Sequence, residues 1–238
     1  MSKALVILSG GQDSTICLYW ARLKFRDVSA VSFNYGQKHS IELESAKQIA
    51  GMANVPLEII DMPDILKSRS PLVNKNEELE TYSNYEEMDQ IIGERVELTF
   101  VPMRNALFLT IAANRVLEKE GEHLITGVCE QDNANYPDCR EGFILSQQET
   151  INEAIGKMGG LNIQIHTPLM HLSKAESIDL AKTLDGCMEA LAFSHTCYNG
   201  VYPPCGDCHS CVLRAEGFKQ AGIADPLIER SVGEKQYA

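Results

Sequence analysis

Apolar positions along this chain fall into two rhythms, short β-rich runs and longer stretches spaced for helices. Ala4-Leu5-Val6-Ile7-Leu8 is unbroken, as in a strand buried on both faces, and it predicts the first strand. Ile16-Cys17-Leu18-Tyr19-Trp20-Ala21 then opens a helix. Val28 to Asn34 alternates and predicts the second strand; His39 to Met52 has helical spacing through Ile41, Ala46, Ile49 and Ala50. Pro56 to Asp61 predicts a third strand, carried by Leu57, Ile59 and Ile60. From Met62 to about Glu97 the chain is polar and has no clear period.

Regular alternation resumes at Leu98-Thr99-Phe100-Val101, followed by a helix from Asn105 to Glu118. His123 to Val128 predicts the fourth strand, Phe143 to Met158 a helix, and Ile163 to His166 a short fifth strand. Ser173 caps a helix from Lys174 to Leu184, with Glu176 at capping-box spacing. Strands alternating with helices predict an α/β fold, a Rossmann-like parallel sheet covered on both faces. The 238 residues suit one domain over 1–238, with a core of 1–185 and a C-terminal segment, 186–238, that holds a cysteine cluster.

Charge narrows the classes of partner. A formal net charge of −12 argues against a broad nucleic-acid surface, which needs clustered Lys and Arg, and against a membrane surface. Much of the acidity lies in Glu77, Glu78, Glu80, Glu86, Glu87, Asp89, Glu94 and Glu97, and reads as a solvated excursion. No stretch has the apolar length of a membrane span, and the N-terminal run is too short for a signal peptide. A cytoplasmic location is expected. Eight cysteines in a reducing compartment point to metal or catalysis rather than to disulfides.

The junction after the first strand changes the picture most. Ser9-Gly10-Gly11-Gln12-Asp13-Ser14-Thr15 joins a buried strand to a helix start. Glycines let backbone approach a ligand closely, and the unpaired N–H groups and positive dipole end of the first helical turn face it. A phosphate site follows from that, and with it a nucleotide. No Lys follows Gly11 as a Walker loop requires, and Gly-x-Gly-x-x-Gly is absent. The bland alternative is a polar turn capped by Asp13 or Ser14.

Near the other end, Cys197 is followed across a Gly/Pro loop by Cys205, Cys208 and Cys211 in Cys-x-x-Cys-x-x-Cys spacing. Four thiolates close a tetrahedral zinc site, which with no open position is structural. The same spacing opens a ferredoxin-type iron–sulfur motif, but Ala215 stands where the usual fourth cysteine would be. Zinc is the favoured reading. Cys17, Cys129 and Cys187 read as structural; Cys139 stands among polar residues.

The loop resembles the PP-loop, Ser-Gly-Gly-x-Asp-Ser, of ATP pyrophosphatases, which split ATP between its α- and β-phosphates. With the cysteines, the chain from Leu8 to about Phe218 resembles the 7-cyano-7-deazaguanine synthase family of the queuosine precursor pathway. The resemblance rests on the loop, Asn34-Tyr35-Gly36-Gln37-Lys38-His39, Val101-Pro102-Met103-Arg104-Asn105, Tyr136-Pro137-Asp138-Cys139-Arg140, Thr167-Pro168-Leu169-Met170 with Lys174-Ala175-Glu176, and Thr196-Cys197-Tyr198-Asn199-Gly200.

That resemblance implies a carbon–nitrogen ligase consuming ATP, ammonia and 7-carboxy-7-deazaguanine. Adenylation and an amide precede the nitrile. It also implies a homodimer, Mg²⁺ with the ATP, one four-cysteine Zn²⁺, and no direct nucleic-acid partner. Leu8, Ser9, Gly10, Gly11, Gln12, Asp13, Ser14, Thr15, Ile16, Cys17 and Leu18 are the expected ATP segment. Ser9, Asp13, Ser14, Lys38 and Arg104 are the expected catalytic residues, with Asp13 orienting the loop or holding Mg²⁺ and Lys38 and Arg104 meeting phosphate. Tyr136 is expected to stack on the substrate, Asp138 to accept from its N–H edge and Arg140 to grip its carboxylate. Lys174 either reaches the ligand or stays exposed. No covalent nucleophile is required, since ammonia attacks an activated carbonyl. A PP-loop tRNA thiolation enzyme with an iron–sulfur cluster and a non-catalytic zinc-binding module are the alternatives.

Overall fold

The computed structural model describes residues 2–37, 41–131, 134–156 and 160–236. The first apolar run forms β1 (Lys3–Ile7), and its alternation sorts the core. Ala4, Val6 and Leu8 enter one hydrophobic cluster, while Leu5 and Ile7 face a second on the opposite side. β1 is central because both its faces are apolar and both its edges are paired. Around it lie β2 (Asp27–Asn34), β3 (Leu57–Asp61), β4 (His123–Ile125) and β5 (Gln164–His166), all parallel, in the order β3-β2-β1-β4-β5.

Helices cover both faces. α1 (Gln12–Lys24) and α2 (Ile41–Met52) bring Ile16, Leu18, Ala46 and Ile49 to the first cluster. α4 (Arg104–Glu118) faces the second cluster through Leu109, Ala112, Ala113 and Val116, one stripe at helical spacing. α5 (Glu141–Ile155) adds Ile144 and Ile151 there. α6 (Lys174–Lys182) has the full capping box between Ser173 and Glu176. After it come α7 (Cys187–Leu191), α8 (His209–Gln220) and α9 (Pro226–Gln236).

The polar excursion is the main departure from the sequence expectation. It contains α3 (Tyr85–Ile92), capped by the Asn84 side chain, which accepts from the Glu87 N–H at 2.9 Å. Met88 and Ile92 pack with Tyr82 against Val212 and Leu213 of α8. Glu97, expected to be solvated, is 2% exposed and accepts from the Thr99 N–H at 2.7 Å. Leu98 to Phe100 form a turn rather than a strand. β4 ends at Ile125, three residues earlier than its apolar run, because the chain leaves the sheet there to form the cleft wall.

Candidate active site

At the carboxyl end of β1 the chain turns sharply into α1. Gly10 has φ +92°, and a Cβ there would overlap the Glu42 carbonyl oxygen and sit 2.9 Å from the Ala46 nitrogen. The cap of α1 is Gly11, without a side-chain hydrogen bond, so neither Asp13 nor Ser14 serves as the cap. The hydroxyls brace the loop: Ser9 Oγ and Ser14 Oγ lie 3.0 Å apart. The Gly11 carbonyl accepts from Ser14 Oγ at 3.2 Å and from Thr15 Oγ1 at 2.7 Å. That leaves the first-turn N–H groups, which have no intrahelical acceptor, to meet a ligand.

Three remote segments support the turn. Gly127, just past β4, fits against it closely enough that a Cβ would stand 3.0 Å from Asp13 C and Ser14 N. The His195 N–H donates to the Gly10 carbonyl at 2.8 Å. Lys174, the first residue of α6, donates to Asp13 Oδ2 at 2.6 Å and is largely buried, so its ammonium is held at the start of α1.

These elements surround a cavity of about 280 Å³. It lies at the crossover between β1 and β4, where doubly wound sheets take ligands. Leu8, Ser9, Gly11, Gln12, Asp13 and Ser14 line it, with Lys174. Gly10 is turned onto α2, Thr15 is spent on the loop, and Ile16, Cys17 and Leu18 are wholly buried in the core. Lys38 lies outside the described residues.

The opposite wall carries Arg104, Tyr136, Asn105 and Cys139. Burial opposes the charge of Arg104, but Tyr35, Tyr136, Tyr198 and Asp138 hold its pKa above the ordinary arginine value. It is a permanent, half-buried cation. Asp138 sits just behind the wall, where its Oδ2 accepts from the Asn105 N–H at 3.3 Å. Burial raises its pKa, and Arg104 opposes that rise. The Tyr136 hydroxyl bonds to Thr99 Oγ1 and donates to Glu97 Oε2 at 3.3 Å. Arg140 does not line the cavity; its guanidinium donates to the Glu130 carbonyl and to Asn135 Oδ1, each at 3.3 Å. Asn105 Nδ2 donates to Cys139 Sγ at 3.4 Å.

Glu42 is a cleft residue the sequence did not suggest. Burial pushes its carboxyl up to about 7, against the pull of Arg104. Its only sequence signal is a place in a helical first turn, shared by many surface glutamates.

The four sulfurs of Cys197, Cys205, Cys208 and Cys211 lie within 4.8 Å of one another, a set able to hold a metal ion. Cys205 Sγ is 3.5 Å from Cys197 Sγ and 3.9 Å from Cys211 Sγ. Hydrogen bonds from Cys208 and Cys211 hold Cys197 far below the usual thiol range, as a metal ligand requires. Cys208 caps α8, and Thr81 pairs with it across a β-bridge, so the excursion also grips this segment. Cys197 also lines the cavity, which places the cluster against the cleft.

Among known proteins, the family model described as "Queuosine biosynthesis protein QueC" matches residues 3–222. A 7-cyano-7-deazaguanine synthase of Laribacter hongkongensis is 46% identical over 231 residues, covering 97% of this chain and 96% of that protein. One from Chromobacterium violaceum is 44% identical, covering 98% and 96%, and one from Gloeobacter violaceus is 46% identical, covering 95% and 96%. Phosphate loop, buried cleft and cysteine cluster all fall within the matched residues, and the chain belongs to the QueC family of queuosine biosynthesis proteins.

Proposed function

We propose that this protein is an ATP-dependent carbon–nitrogen ligase that converts 7-carboxy-7-deazaguanine and ammonia into 7-cyano-7-deazaguanine. The observation that carries the reading is 46% identity across 97% of the chain to a synthase of that name. The cleft supplies the chemistry. A carboxylate oxygen attacks the α-phosphorus and pyrophosphate leaves, aided by the N–H groups of Gln12 to Ser14 and by the Lys174 ammonium. Ammonia then displaces AMP to give the amide. In a second round the amide oxygen is adenylated, and loss of AMP and protons from nitrogen leaves the nitrile. Mg²⁺ bound with ATP neutralises charge on the phosphates.

Arg104 is suited to draw the substrate carboxylate into the cleft, because it lines the cavity and is permanently charged. Tyr136 offers a ring, and Asp138 an acceptor, for the heterocycle. Arg140 would have to leave its loop contacts to take part. For the cysteines the metal is zinc. Zn–S bonds of about 2.3 Å in a tetrahedron set sulfurs roughly 3.8 Å apart, which the 3.5 and 3.9 Å separations bracket. A four-iron cluster holds its cysteines on the outside of a metal–sulfide cube and needs a wider cage.

The test is to incubate metal-replete protein with ATP, Mg²⁺, ammonium and 7-carboxy-7-deazaguanine and to follow products by mass spectrometry. Amide followed by nitrile, with AMP accumulating, is the expected outcome. Absence of nitrile, with AMP no higher than in a control lacking the acid, would rule the reading out.

A further inference from the structure

Three helix starts meet at the phosphate-loop end of the cleft. Gln12 opens α1, Lys174 opens α6 and His209 opens α8, and all three residues line the cavity. Each start presents the positive end of a helix dipole, and the Lys174 ammonium lies among them, bonded to Asp13. The segment before the first cysteine closes this end. Its His195 N–H donates to the Gly10 carbonyl at 2.8 Å, and Thr196 Cγ2 lies 3.5 Å from where a Gly11 Cβ would stand. Ser210 Oγ donates to the Thr196 carbonyl, so Thr196 is clamped between the phosphate loop and α8.

Several polar atoms here have no hydrogen-bond partner among the described residues. Both amide atoms of Gln12, the Oγ1 of Thr196 and both ring nitrogens of His209 are buried and unsatisfied. Gln12 is 2% exposed and His209 3%. Such groups are costly unless a ligand completes the bonding. Donors are plentiful among them: the Gln12 amide, the Thr196 hydroxyl and, in either neutral tautomer, one ring nitrogen of His209. Converging donors call for a group rich in acceptors, and phosphate oxygens are acceptors alone. Charge narrows the choice further. Adenine and ribose are neutral and gain little from three dipole ends, and the single carboxylate of the heterocycle has Arg104 on the opposite wall. The terminal phosphates of ATP are the most negative part of any reactant in the proposed reaction. Gln12 Oε1 and the hydrogen-free nitrogen of His209 accept from the waters that hydrate a phosphate.

We infer that Gln12, Thr196 and His209 bind the β- and γ-phosphates of ATP, so that the cysteine segment forms one wall of the nucleotide site. This deepens the ATP-dependent reading given above. Thr196 immediately precedes Cys197 and His209 immediately follows Cys208, so whatever fixes the cysteines also fixes two phosphate donors. As the bond between the α- and β-phosphates breaks, negative charge gathers on the departing pyrophosphate, where these donors stand.

Binding measurements on the metal-loaded full chain test this apart from nitrile formation. The probes are α,β-methylene-ATP, which cannot be cut at that bond, inorganic pyrophosphate and adenosine, the first two with Mg²⁺. Thr196→Val removes the hydroxyl with little change of shape. It should raise the dissociation constants of α,β-methylene-ATP and of pyrophosphate about tenfold, as loss of one hydrogen bond to a charged group does. Adenosine should bind this variant as it binds wild type, and Thr196→Ser, which keeps the hydroxyl, should bind all three probes normally. His209→Phe provides the same readout should Thr196→Val not fold, and metal content is measured for every variant because each neighbours a cysteine ligand. Unchanged pyrophosphate binding in folded, metal-loaded protein, or an equal loss for adenosine, would overturn the assignment. Wild-type protein that binds neither α,β-methylene-ATP nor pyrophosphate would sink the ATP reading and this site with it. The expected binding pattern without nitrile formation would uphold the site and fault the ligase chemistry alone.

Discussion

Gly10 shows how much a single residue of the loop carries. Its positive φ is the first reason for glycine; the second is that α2 fills the space where a Cβ would go. Gly10→Ala is therefore expected to cost at least about 2 kcal/mol, from backbone strain and the clash together. Urea unfolding checks this, and a variant as stable as wild type would contradict the packing described. The sequence reads this glycine as making room for a ligand, whereas the room is taken by helix backbone, which only tertiary structure reveals. Glu97 teaches the same lesson in reverse. Its place at the end of an acidic run suggests solvent, but its environment is set by Thr99 and Tyr136, the latter 39 positions away. Arg104 and Tyr136 were legible through their motifs; that Arg140 faces its own loop was not.

At the scale of elements, what is local in sequence was legible. The five strands and the capping box of α6 rest on short apolar or alternating runs and a four-residue motif, and each lies where the pattern puts it, within a few residues. α3 escaped notice because only Met88 and Ile92 of its eight residues are buried, too few to set a rhythm. The cap of α6 has a functional side, since the next residue is Lys174, bonded to Asp13. Ser173→Ala should lower stability by about 1 kcal/mol. It should also raise the Michaelis constant for ATP, because fraying the first turn frees the lysine. Denaturant melts and ATP titrations measure the two effects, and loss of stability with an unaltered ATP constant would show that the lysine is held by other means.

Across the whole molecule, the cysteine cluster and the phosphate loop form one unit. The segment ending in Cys197 reaches the loop through the His195–Gly10 hydrogen bond. Metal extraction by a chelator is expected to speed amide hydrogen exchange both around the cysteines and over Ser9 to Ser14. Faster exchange at the cysteines alone would show the two regions to be uncoupled. The sequence showed each motif separately, and what it could not show was that residues from opposite ends of the chain meet. That meeting also bears on how the protein is made. Gly10 and His195 are 185 positions apart (195 minus 10), so at roughly 5–20 residues per second the loop waits on the order of ten to forty seconds for its last support. A nascent chain on the ribosome thus holds its nucleotide-binding residues early and the finished nucleotide site only late.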